Sequence, residues 1–135
     1  MNQYFGHSRM LSNWGYKTLA DHARDESMDE MKHADALIER IIYLEGMPNL
    51  QRLGSVRLGE DPVEQLRLDL EVEAEAVERF NRGIALAVDK GDNGTRELLA
   101  GMLVSEEEHV DWLETQLGLV ESLGAQLYLS EQLND

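Results

Sequence analysis

Apolar positions recur along this chain in steps of three and four, and no run alternates apolar and polar residues as a half-buried strand would. The longest early stripe reads Leu19, Ala23, Glu26, Glu30, His33, Leu37 and Ile41, which predicts a helix from near Tyr16 to a stop at Gly46 and Pro48. A second stripe, Val63, Leu66, Leu70, Glu73, Val77, Phe80 and Ile84, follows a clear start signal of Asp61 as N-cap, Pro62 in the first turn and Glu64 three residues after the cap. After a tight turn at Gly91-Asp92-Asn93-Gly94, a third runs through Leu99, Met102, Glu106, His109, Leu113, Gln116 and Val120. A shorter, sparser pattern covers Met1 to about Asn13, with Tyr4 and Met10 or Leu11, and is closed by Gly15. No capping residue precedes it, so it reads as the back half of a helix. Gly124 breaks the last stripe, and Ala125 to Leu133 predicts one further short helix.

Between Gly46 and Asp61 lie about 16 residues with no periodicity of their own, carrying Leu50, Leu53, Val56 and Leu58. Extended, they reach about 50 Å, against roughly 42 Å for a helix of about 28 residues. The segment can therefore run the length of a bundle and join two parallel helices, and its apolar residues predict packing rather than a loose linker. The expectation is an all-α, four-helix bundle with one long crossover, a single domain over residues 1–135.

Composition narrows the partners. A net charge of −15 repels phosphate backbones and anionic lipid and attracts cations, so nucleic acid is excluded as a natural partner. The chain has no cysteine, no basic-then-apolar leader and no apolar run long enough for a membrane span, and it is expected to be soluble and cytoplasmic.

The chemistry lies in the polar residues that occupy core positions. Glu30 and His33 share a helix face, as do Glu106 and His109, and each pair offers a carboxylate oxygen and an imidazole nitrogen to one point. With seventeen glutamates and four histidines, chance supplies roughly half of one such pair, so position has to decide. Glu30, Glu73 and Glu106 all stand where a core leucine belongs, and no Lys or Arg lies on those stripes. A buried carboxylate costs several kcal/mol unless paired or coordinated, and two histidines cannot neutralise three or four of them. Two divalent cations can. Carboxylate plus imidazole suits iron, manganese or zinc.

Around this set the readings stay open. Asp25, Glu26 and Asp29 are either cation guides or a charged face, and Glu107 and Glu108 point elsewhere as a solvated face. Tyr4 is either a redox-active phenol beside the metals or a core aromatic, and His7 and His22 read as surface or packing residues. Met28 and Met31, three apart on one face, pack a helix or a second subunit, or offer a thioether to haem iron.

Asn2-Gln3-Tyr4-Phe5, Asp29-Glu30-Met31-Lys32-His33-Ala34-Asp35, Leu44-Glu45-Gly46-Met47-Pro48-Asn49-Leu50 and Glu106-Glu107-Glu108-His109-Val110-Asp111-Trp112-Leu113-Glu114 together resemble bacterioferritin. The match spans essentially the whole chain, and the Met inside the first Glu-x-x-His separates bacterioferritins from other ferritins. The resemblance implies a ferritin-like bundle in a cage of twenty-four subunits that stores iron. Its ferroxidase would be a di-iron centre in each subunit, and haem b would lie between two-fold-related subunits. It implies Glu30, His33, Glu73, Glu106 and His109 as catalytic iron ligands, with Glu30 and Glu106 bridging, and Met31 as the haem ligand. The other implied reading is a non-catalytic cage or haem-binding subunit. Bacterioferritins also carry an iron-binding glutamate one heptad before Tyr4, and here that position falls before Met1. The expectation is a first helix cut short, an open groove or a segment from another chain beside Tyr4, and one iron position short of a carboxylate.

Overall fold

The computed structural model describes residues 1–50 and 54–133. Five helices follow one another: α1 (Asn2–Trp14), α2 (Lys17–Tyr43), α3 (Pro62–Asp89), α4 (Asn93–Leu123) and α5 (Ala125–Ser130). Among the described residues there is no strand, and no helix is long and apolar enough to cross a membrane.

Local chemistry sets the boundaries. Asp61 Oδ1 accepts the Glu64 N–H at 2.9 Å with Pro62 in the first turn, as the start signal predicts. Gly15, at φ 94°, turns α1 into α2: its own N–H bonds Ser12 O, and the Tyr16 N–H bonds Leu11 O. Three boundaries differ from expectation. α2 ends at Tyr43 rather than Gly46, because Glu45 takes the left-handed position at φ 66° and the Gly46 N–H folds back to Ile41 O. Asn93 and Gly94 belong to α4 rather than to a turn, because Asp92 caps the helix by accepting from the Thr95 N–H at 3.1 Å and from its hydroxyl. α5 stops at Ser130, short of Leu133.

Contacts between helices fix their directions. Ser27 reaches Met1 O, so α1 and α2 run antiparallel. His109 meets Glu26 and Glu30, while Arg40 meets Asp92 and Thr95, which makes α2 and α4 antiparallel. The space left for a methyl at Gly83 is bounded by Leu99, and Glu73 lies by His109, so α3 and α4 are antiparallel too. α2 and α3 are therefore parallel, joined by the long crossover. What anchors the end of that crossover is its backbone: the Arg57 N–H bonds Gln3 Oε1 and the Gly59 N–H bonds His7 Nε2. Leu50, Val56 and Leu58 are half exposed or more, against the expected packing, although Leu58 lies on Gly6; Leu53 falls outside the described residues.

The core is gathered where all four helices meet. Tyr4, Leu11, Leu19, Ala23, Leu66 and Leu113 are buried together, with Tyr128 of α5 closing the end and donating to Gln116 Oε1 at 2.6 Å. α1 has 13 residues against 27, 28 and 31 in α2, α3 and α4, so the far half of the bundle has three helices. Leu37, Val77, Phe80, Ile84 and Leu99 of the predicted stripes are only half-buried there, and Ile41 is exposed. Alongside the start of α1 lies a cleft of about 510 Å³ between Met1, Gln3, Val56, Val72 and Arg79; Tyr4, beside which the groove was expected, is buried and does not line it.

Candidate metal centre

Three helices deliver the five predicted residues to one place at the edge of the shared core. Glu73 and Glu106 are fully buried, His109 is buried, and Glu30 and His33 are half-buried. Glu30, Glu73, Glu106 and His109 each offer a ligand atom, all within 4.8 Å of one another. His109 Nδ1 lies 3.5 Å from Glu106 Oε2, 3.6 Å from Glu73 Oε2 and 3.7 Å from Glu30 Oε1. On the other side, His33 Nδ1 lies 3.4 Å from Glu106 Oε1. Glu106 therefore turns one oxygen to each histidine.

None of these contacts is a hydrogen bond. Glu30 Oε1, His33 Nδ1, Glu73 Oε2, both oxygens of Glu106 and His109 Nδ1 are buried without a hydrogen-bond partner. So is Glu26 Oε2, although it lies 2.5 Å from His109 Nε2. Buried polar atoms are almost always satisfied, and leaving one unmade costs about 1–3 kcal/mol. Seven in one cluster, all lone-pair donors of carboxylate or imidazole type, fit a set of metal ligands rather than a polar core.

The side chains answer the crowding by holding protons. Burial first, and the Glu106 carboxylate next, push Glu30 up to about 8. Burial alone would lower His109, but the carboxylates of Glu106 and Glu26 beside it raise it to about 10. Burial opposes ionisation of Glu106, yet His109 and Glu30 hold it below the usual carboxylate value. The centre thus keeps protons that a divalent cation can displace.

Glu26 is the residue that spacing did not single out. It lies on the predicted stripe, but it has no histidine three residues on and reads equally as a charged face. The structure buries it between His109 and His22, with His22 Nε2 3.5 Å from its Oε1. With half-buried Asp29 and with His109 it forms a second group of ligand atoms within 4.8 Å. Asp25, Glu107 and Glu108 are exposed. His22 stacks on Trp112 at 3.5 Å, and burial lowers its proton affinity. Tyr4 is buried and its hydroxyl donates to Glu73 Oε1 at 2.8 Å; burial, then the charge of Asp69, raises the phenol well above its ordinary range, so it stays a neutral donor. Met31, next to Glu30 in the chain, and Met28 are 46% and 40% exposed.

Residues 1–123 match the ferritin-like domain. The chain is 47% identical over 131 residues to the bacterioferritin of Mycobacterium avium, covering 97% of this chain and 82% of that protein. It is 46% identical over 130 residues to the bacterioferritin of Streptomyces coelicolor, covering 96% and 78%. It is 42% identical over 128 residues to that of Brucella melitensis, covering 95% and 80%.

Proposed function

The chain belongs to the ferritin-like domain family, and from that premise we propose that it stores iron, acting as a ferroxidase on Fe(II) in a multi-subunit cytoplasmic cage. The observation that carries the reading is Glu106: fully buried, with Oε1 toward His33, Oε2 toward His109 and neither oxygen hydrogen-bonded. A carboxylate so held has the geometry to bridge two cations. Fe(II) is the substrate. Glu106 and Glu30 bridge the pair, His33 and His109 each bind one ion, and Glu73 adds its free oxygen on the His109 side.

The residues do three things for the reaction. Hard, anionic oxygens stabilise the higher charge of Fe(III), so the donor set favours loss of an electron from each iron. Both electrons pass to oxygen or to peroxide as the ultimate acceptor. The protons held at Glu30 and His109 leave as the cations enter, so charge stays balanced in a buried site. Tyr4, by donating to Glu73 Oε1, leaves Glu73 one oxygen to offer.

Met31 is the residue that would hold haem b, supplying a thioether ligand from an exposed helix face where a second subunit can supply another. Bound haem would supply a one-electron redox centre at the subunit contact. Residues 1–135 act as one domain in a homo-oligomer built from such two-fold pairs, by likeness to bacterioferritins a cage of twenty-four.

Aerobic addition of Fe(II), followed by growth of ferric absorbance, tests the reading. The protein should give a rapid phase above buffer, and Glu106→Ala should slow it by at least about tenfold through loss of a bridging ligand. Equal rates in protein and buffer would leave a non-catalytic shell or haem-binding subunit as the function.

A further inference from the structure

One helical turn from the metal centre lies a buried polar network that coordinates nothing itself. His7 is fully buried and both ring nitrogens are engaged. Nε2 accepts the Gly59 N–H at 3.0 Å, so the ring proton sits on Nδ1, which donates to Asp69 Oδ1 at 2.9 Å. Asp69 Oδ1 also accepts from Gln3 Nε2 at 3.0 Å, and Gln3 Oε1 accepts the Arg57 N–H at 3.1 Å. The start of α1, the end of the crossover and α3 are tied together at this point.

The spacing links the network to the site. Tyr4 lies between Gln3 and His7 on α1, and Glu73 lies one turn beyond Asp69 on α3. The register of α1 that satisfies His7 and Gln3 is therefore the register that brings the Tyr4 hydroxyl to Glu73 Oε1. Glu73 Oε2 is then the oxygen left over, buried, without a hydrogen bond and 3.6 Å from His109 Nδ1.

We propose that His7 and Asp69 are positioning residues of the metal centre: they hold α1 where Tyr4 claims one oxygen of Glu73 and leaves the other as its single metal-facing atom. The proposal rests on the reading of the centre as an iron site. A network that only stabilised the fold would need no such spacing from Tyr4 and Glu73, and a slip of α1 breaks the His7–Asp69 and Tyr4–Glu73 bonds together.

Co(II) is the probe, because the intensity and position of its visible bands report ligand number. The wild-type chain should bind Co(II) with defined bands. Tyr4→Phe should change them, as Glu73 Oε1 becomes free to bind. His7→Gln should give the same change, and adding it to Tyr4→Phe should give no further change, since the effect passes through Tyr4. A His7→Gln effect that adds in full to that of Tyr4→Phe overturns the proposal. So does an unaltered Co(II) spectrum accompanied only by a lower melting temperature. Should His7→Gln not fold, Asp69→Asn keeps an acceptor of the same shape with weaker bonds, and is read by the same bands with the same outcomes. Absence of Co(II) bands in the wild type would instead overturn the iron reading itself.

Discussion

A carboxylate buried with neither oxygen hydrogen-bonded is costly to keep, and Glu106 shares that cost with Glu30, Glu73 and His109. The same crowding yields a pH dependence opposite to that of ordinary surface carboxylates. His109 is raised from 6.5 to about 10, so its protonated form favours folding fully below about 6.5 and that contribution is lost as pH rises through 10. Glu30 is raised from 4.5 to about 8, so ionising it opposes folding progressively across that interval. Both act in one direction: protein stripped of metal by a chelator should melt at a lower temperature at about pH 9 than at about pH 6. With metal in place of the protons, the slope should flatten. A chelated protein whose melting temperature rises over that range would contradict the two shifts. At this scale Glu30, His33, Glu106 and His109 were legible because a step of three along a helix is already a geometric statement. Glu73 was legible because it interrupts an apolar stripe. Glu26 interrupts the stripe of α2 in the same way, but whether it joins the site or a charged face depends on where His109 of another helix arrives, which no local pattern encodes.

Elements read well where a side chain enforces the boundary and less well where backbone geometry does. The start of α3 followed from Asp61, Pro62 and Glu64 because each has a fixed task in the first turn. The end of α2 did not, because Glu45 occupies a left-handed position more often taken by glycine, which moves the stop upstream of Gly46. The crossover was expected to pack through its leucines and is instead pinned through peptide groups. Gly59 carries most of that pinning. A Cβ there would lie 2.6 Å from Gln65 N, so the chain would have to move away from α3. Movement breaks the Gly59 N–H bond to His7 Nε2 and the bond from Gln65 Nε2 to Gly59 O, at 3.0 Å each. Gly59→Ala should therefore destabilise the protein by about 1–3 kcal/mol per buried group left unpaired, read from denaturant melts. By contrast Gly54→Ala, where a methyl meets nothing within 4 Å, should change the midpoint by less than about 0.5 kcal/mol. Equal effects at both glycines would mean that the crossover is not held at Gly59.

The chain as a whole keeps a core in one half of its bundle and leaves apolar side chains on show elsewhere. Ile42, Tyr43, Leu44, Met47 and Leu50 follow one another at the end of α2 and the start of the crossover, all exposed. Exposed apolar patches of this kind mark interaction surfaces rather than ordinary solvated ones. Helix number, direction and the single crossover could be read from one sequence, because they follow from stripe lengths and reach. What covers the outer faces could not, because a helix face that meets a second copy has the same apolar pattern as one that meets its own core. Met31 separates the two possibilities. It is 46% exposed beside Met28 at 40%, so this face of α2 is open to a second copy. If it ligates haem across a two-fold contact, one haem binds per two chains and the complex has a Soret band. Met31→Leu is close to isosteric, so the helix content and melting profile should stay within about 1.5 kcal/mol of the parent while the Soret band disappears. A band that survives the substitution assigns haem to another ligand, and a stoichiometry of one haem per chain rules out the shared site.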